Sequence, residues 1–163
     1  MASGDTLCRY FPLSAEFCAV FPQLYRRNYH YVLGFDAATD EACTWTDIMP
    51  RNYAGGGVTV YLHITDANDT TAAHASYWDV SFETAVGQDI DSDGFAAVQS
   101  NHAHPNGTSG IEVVISIPFT NGAQMDSVAA GDKFRLKVNR DANNGSDDWA
   151  NDAELLAVEI KET

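Results

Sequence analysis

The sequence predicts an all-β protein, an antiparallel sandwich or barrel of about seven or eight strands. Apolar residues recur with a period of two through most of the body, and the runs are separated by short stretches rich in Gly, Asn and Asp. No stretch sustains an amphipathic helix; "GAQMDSVAAGD" (122–132) holds one short turn at most. At 163 residues, 45% of them apolar, the chain suits one domain with a core of its own.

Taken in order, "HYVLGFD" (30–36) and "CTWTDIM" (43–49) are the first strand candidates. "GVTVYLHIT" (57–65) puts Val58, Val60, Leu62 and Ile64 on one face. "SYWDVSFET" (76–84) sets Trp78, Val80 and Phe82 against Asp79, Ser81 and Glu83. "IEVVISIPF" (111–119) groups Ile111, Val113, Ile115 and Ile117. Phe134, Leu136 and Val138 alternate with Lys133, Arg135 and Lys137. Last, Leu156, Val158 and Ile160 alternate with Ala157, Glu159 and Lys161.

Residues 1–29 lack this alternation and read as an irregular N-terminal arm before a sandwich domain at 30–163. The arm holds Tyr10, Phe11, Phe17, Phe21, Tyr25 and Tyr29, with Pro12 and Pro22. Two readings stay open: a segment that closes the core, or a subunit contact made by Tyr10, Phe11, Phe17, Phe21, Tyr25, Arg26 and Arg27.

Charge is uneven. Arg9, Arg26 and Arg27 against Asp5 and Glu16 leave residues 1–29 at +1, so the rest carries −15 of a total of −14. Such a body repels phosphate backbones, so nucleic acid is not expected as a partner. No apolar run is long enough to span a membrane, and "MASGDTLCRYFPLS" lacks the basic start and apolar stretch of an export signal. Three cysteines (Cys8, Cys18, Cys43) make an odd set without C-x-x-C, read as free thiols.

Each candidate site meets a plainer alternative. "DIDSDG" (89–94) spaces Asp89, Asp91 and Asp93 like the opening of a calcium loop, but Ser100 stands where the twelfth-position Glu belongs. Asp141, Asn143, Asp147 and Asp148 could gather around calcium too; a hydrated turn is the simpler reading. His102 and His104 share a side of an extended segment without a third zinc ligand. No metal and no cofactor is therefore expected.

Catalysis finds no motif. G-x-S-x-G, H-E-x-x-H and the phosphate-cradling loop are absent, and "YAGGGVTV" (53–60) leads into a strand instead of a helix. The chain is not expected to be an enzyme. Asn68, Asn106 and Asn144 match N-x-[ST], which matters only after secretion.

Four motifs then occur in one order: F-D-x-x-T-D-E (35–41), M-P-x-x-Y-x-G-G-G (49–57), A-G-D-x-F-R-L-K-V-x-R-D (130–141) and D-A-E-L-L-x-V-E-I (152–160). From about residue 14 to the C-terminus the chain resembles small β proteins encoded among the structural genes of tailed bacteriophages. That resemblance implies a jelly-roll-like sandwich of about eight strands, acting in the virion as a capsid decoration or cement protein, a head fibre or a tail component. It implies contacts with the major capsid protein or other virion subunits, a homotrimer, and assembly in the host cytoplasm. It supplies no catalytic or metal residue, and "TDANDTTAAHAS" (65–76) and "HAHPNG" (102–107) depart from it.

The rival reading is a carbohydrate-binding module on the same architecture, with or without calcium. Sugars stack on flat rings, and Trp45, Trp149, Tyr53 and Tyr61 are the candidates for that role.

Overall fold

Alternation becomes two stacked antiparallel sheets in the computed structural model, which describes residues 4–68 and 70–163. Among those residues eleven strands form: β1 (Thr6–Tyr10), β2 (Glu16–Phe17), β3 (Gln23–Arg27), β4 (His30–Phe35), β5 (Glu41–Ile48), β6 (Val58–Asp66), β7 (Ser76–Thr84), β8 (Gln99–Ala103), β9 (Val113–Phe119), β10 (Lys133–Arg140) and β11 (Ala153–Glu162). One sheet runs β3-β4-β11-β6-β9, with β1 also on β11; the other runs β2-β5-β10-β7-β8. The protein is an all-β, jelly-roll-like sandwich.

The period-two residues meet between the sheets. Val58, Val60, Leu62 and Ile64 face Trp78, Val80, Phe82, Phe134, Leu136 and Val138, all fully buried. Each such side chain contributes about 1.5–3 kcal/mol of transfer free energy. Edge-to-face rings, Phe35 on Trp78 and Phe82 on Phe119, lock the packing further.

Three details depart from the alternation pattern. In β11 the buried residue is Leu155, not Leu156, because a bulge between Leu155 and Ala157 shifts the register against β6. One extra residue turns Leu156 outward, a side-chain flip that a strict period of two does not anticipate. Ile111 lies outside β9 and is exposed. Residues 99–103, which include His102 and end just before His104, form β8 by pairing backbone groups with β7 despite a polar sequence.

The aromatic N-terminal segment is tied down more than its irregular pattern suggests. β1 pairs with β11, β2 with β5, and β3 with β4. Sheet edges accept strands through main-chain hydrogen bonds, which need no side-chain alternation. Cys8 and Tyr10 pack in the core, and Tyr10 stacks on Trp45.

Candidate binding groove

A two-residue hairpin builds the site. β3 and β4 are joined by Asn28 and Tyr29, at φ of 44° and 70°. Two positive φ values are the mark of the turn whose twist matches paired strands, and Gly normally takes its second position. Here a tyrosine takes it. The ring stands in solvent, 83% exposed, on a backbone that disfavours side chains by about 1 kcal/mol. Its neighbour Tyr31 is also exposed. The Arg26 guanidinium lies over both rings, 5.2 Å and 5.5 Å from their centroids.

The opposite side chains of the hairpin point to β11. Arg27 Nη1 donates to Glu154 Oε2 at 2.6 Å and to the Asp66 carbonyl at 2.5 Å, and Nη2 donates to Ser109 Oγ at 2.8 Å. Tyr25 donates its phenol proton to Glu154 Oε1 at 2.5 Å. Burial, and then the carboxylate itself, push the Tyr25 phenol above its ordinary range. Both Glu154 oxygens are engaged, so this buried acid anchors the hairpin. Gly34 makes the approach possible: a Cβ there would sit 2.6 Å from the Tyr25 ring.

β11 has two partners along one edge. β4 pairs with residues 153–155 and β1 with residues 158–161, leaving Leu156 and Ala157 at the junction. The bulge sits there. A groove of about 760 Å³ opens over it. Phe11, Pro12 and Leu13 line it from the turn after β1; Asn28, Tyr29, His30 and Tyr31 line it from the hairpin. Val32, Thr65, Leu156, Arg27 and Glu154 contribute from the strands, Gly110 and Glu112 from the loop before β9. Glu112 Oε1 meets His63 Nδ1 at 2.8 Å. Apolar rings stand on the walls, and His30, Thr65 and Glu112 are polar groups between them.

The sequence candidates fall out unevenly. Of the seven proposed contact residues, Arg27 and Tyr25 belong to the anchor, Arg26 to the ring array, and Phe11 to the groove wall. Tyr10 is core. Phe17 is 84% exposed and packs its ring 4.6 Å from half-buried Phe21, away from the groove lining. The rings proposed for sugar stacking are poorly placed: Trp45, Trp149 and Tyr53 are buried, and Tyr61 is half-buried. The exposed rings at the groove are Tyr29 and Tyr31. The signal that marks them is "RRNYHY", where Asn opens a two-residue turn between strands.

The acidic stretches are structural in part. Arg140, with no exposed surface, bonds both Asp147 oxygens (2.8 and 3.0 Å) and the carbonyls of Phe35, Trp149 and Asn151. Asp147 and Asp148 also accept from the backbone of Tyr77 and Ala75. The expected hydrated turn is therefore corrected at these two residues: they close the end of the sandwich. Asp141 and Asn144 stay in the turn, bonded to one another. Asp89 accepts from the Asp91 amide in a local turn. His104 Nδ1 meets the His74 carbonyl, and the His102 ring packs edge-on against Tyr77. Among the described residues no three His, Cys, Asp or Glu side chains converge as metal ligands would. Cys8, Cys18 and Cys43 are free thiols, and burial pushes Cys8 up to about 12.

No protein-family model matches the chain, and no curated protein matches it. Among solved structures it is similar to a xylan-binding module (CBM15) at 7% identity and a TM-score of 0.49, covering 100% of this chain and 94% of that one. A family 11 carbohydrate-binding module from Clostridium thermocellum, in complex with a β-1,3-1,4-mixed-linked tetrasaccharide, gives 10% and 0.48, covering 100% and 98%. An exo-β-1,3-galactanase from Phanerochaete chrysosporium gives 11% and 0.48; the chain covers 29% of it. Infectious bursal disease virus, Gt strain, gives 11% and 0.39, covering 99% of this chain and 33% of that one.

Proposed function

We propose that this chain is a non-catalytic β-sandwich module that binds a saccharide chain in the groove over Leu156. The observation that carries the reading is Tyr29, a ring held out in solvent on a left-handed backbone at the groove wall. Strain retained at a ring that touches the protein chiefly through Arg26 has little burial to offset it, whereas a stacking surface gives it a use. Tyr29 and Tyr31 offer faces to pyranose rings, and Glu112 accepts hydroxyl protons. Affinity electrophoresis through gels containing soluble polysaccharides tests this. Tyr29→Ala and Tyr31→Ala should each abolish retardation while leaving the unfolding free energy from urea titration within about 1 kcal/mol of the parent. Equal retardation of parent and both variants rejects the groove as the site.

A second reading has its own support. The four-motif order and the exposed apolar residues Phe17, Val20 and Leu24 favour a virion component, a capsid decoration or cement protein, or a fibre or tail part, held as a trimer on major capsid protein. Saccharide binding and a virion position are compatible. The test is Phe17→Ser rather than removal of residues 1–29, because β1 and β3 belong to a sheet. Loss of attachment to purified particles with an unchanged fold supports this reading; unchanged attachment removes Phe17 from it.

A further inference from the structure

Resting on the saccharide reading, we infer that the groove selects uncharged, hydroxyl-rich chains and rejects polyanionic ones, with Glu112 as the residue that decides. Arg27 is the one Lys or Arg among the lining residues. Its charge is matched by Glu154 at 2.6 Å, and both Nη atoms are already bonded to protein. A uronate or sulfate entering the groove would meet a cation whose charge Glu154 already balances. Arg26 lies over the two tyrosine rings and outside the groove lining, so its charge is spent first on the ring faces.

Glu112 works in the opposite sense. Its side chain is 47% exposed, and His63 Nδ1, 2.8 Å from Oε1, steadies it. No Lys or Arg pairs with it among the described residues. A carboxylate accepts two hydroxyl protons at once, a match to neighbouring sugar hydroxyls, and such charge-assisted bonds are the stronger kind. The same charge repels carboxylated or sulfated rings, and the −15 carried beyond residue 29 adds to that repulsion at low salt.

The experiment compares neutral polysaccharides (glucans, xylans, mannans, galactans) with polyanionic ones (alginate, pectate, carrageenan) on the whole chain at low and moderate salt. At least one neutral chain should bind, and every polyanionic chain should bind at least about tenfold more weakly. Glu112→Gln should weaken the neutral chain about tenfold. Glu112→Lys should narrow the gap toward the polyanions, most at low salt. Because Glu112 is exposed, urea midpoints of both variants should match the parent. Polyanions that bind as well as the neutral chains, or a preference untouched by Glu112→Lys, overturn the inference and leave the saccharide reading standing. Retention by no chain at all overturns both.

Discussion

Arg140 and Arg27 each meet a buried carboxylate, yet only one pair opens onto the groove. Arg140 and Asp147 are sealed, with side chains 0% and 1% exposed, and all five guanidinium N–H groups find acceptors. Arg27 and Glu154 differ: Glu154 is buried, but the Arg27 side chain is 32% exposed and lies in the groove lining. The sealed pair sits in the acidic stretch that promised a ligand or a wet loop. The open pair begins in the segment that looked irregular. The chemistry of the two ion pairs is the same, and what separates them is the surface each borders.

That contrast can be broken most forcefully at the sealed pair. Arg140→Met takes the guanidinium donors from three carbonyls and leaves the buried Asp147 charge with only the Tyr77 amide, and should lower unfolding free energy by about 3–5 kcal/mol in urea titration. Its effect on ligand retention, measured on the folded fraction, should be nil. Glu154→Gln at the open pair should cost less, about 2 kcal/mol, since Arg27 keeps Asp66 and Ser109 and part of its hydration. It should also weaken saccharide retention by freeing the hairpin.

Tyr29→Gly separates strain from function. Relief of the left-handed backbone should raise stability by up to about 1 kcal/mol while retardation in polysaccharide gels disappears. A loss of stability would assign the ring a packing role instead.

The smallest effect concerns Asp152, beside the sealed pair. Burial, then the Asp36 charge, raise its carboxyl above the ordinary value of 3.8. A raised carboxylate destabilises the fold above its folded pKa, and this cost fades as pH falls through that value. Asp152→Asn should therefore stabilise at pH 7 by less than about 1 kcal/mol, with the gain shrinking in acid. A gain that grows on acidification would reverse the sign argued here.

Much of the fold is readable in the alternation, since burying one face of a strand requires a period of two: β4, β5, β6, β7, β9 and β10 lie where the pattern puts them. β8 and the three N-terminal strands are not readable that way, because edge strands need only free main-chain partners. The groove is harder still. Leu156 faces outward through a single bulge, and Tyr29 counts as one of several aromatics until the Asn28 turn lifts it away from the core. Trp149, a ring the sequence offers for stacking, is instead closed into the core.

The sequence alone thus determined the β class through its local period of two, and the single domain and acidic character through length and composition, because none of these depends on which strands become neighbours. Tertiary structure decided which carboxylates anchor and which open onto the groove. Arg27 lies 127 residues from Glu154, and His63 lies 49 from Glu112. Such meetings depend on which strands become neighbours and where β11 changes partner along its edge, and no short stretch of sequence encodes either.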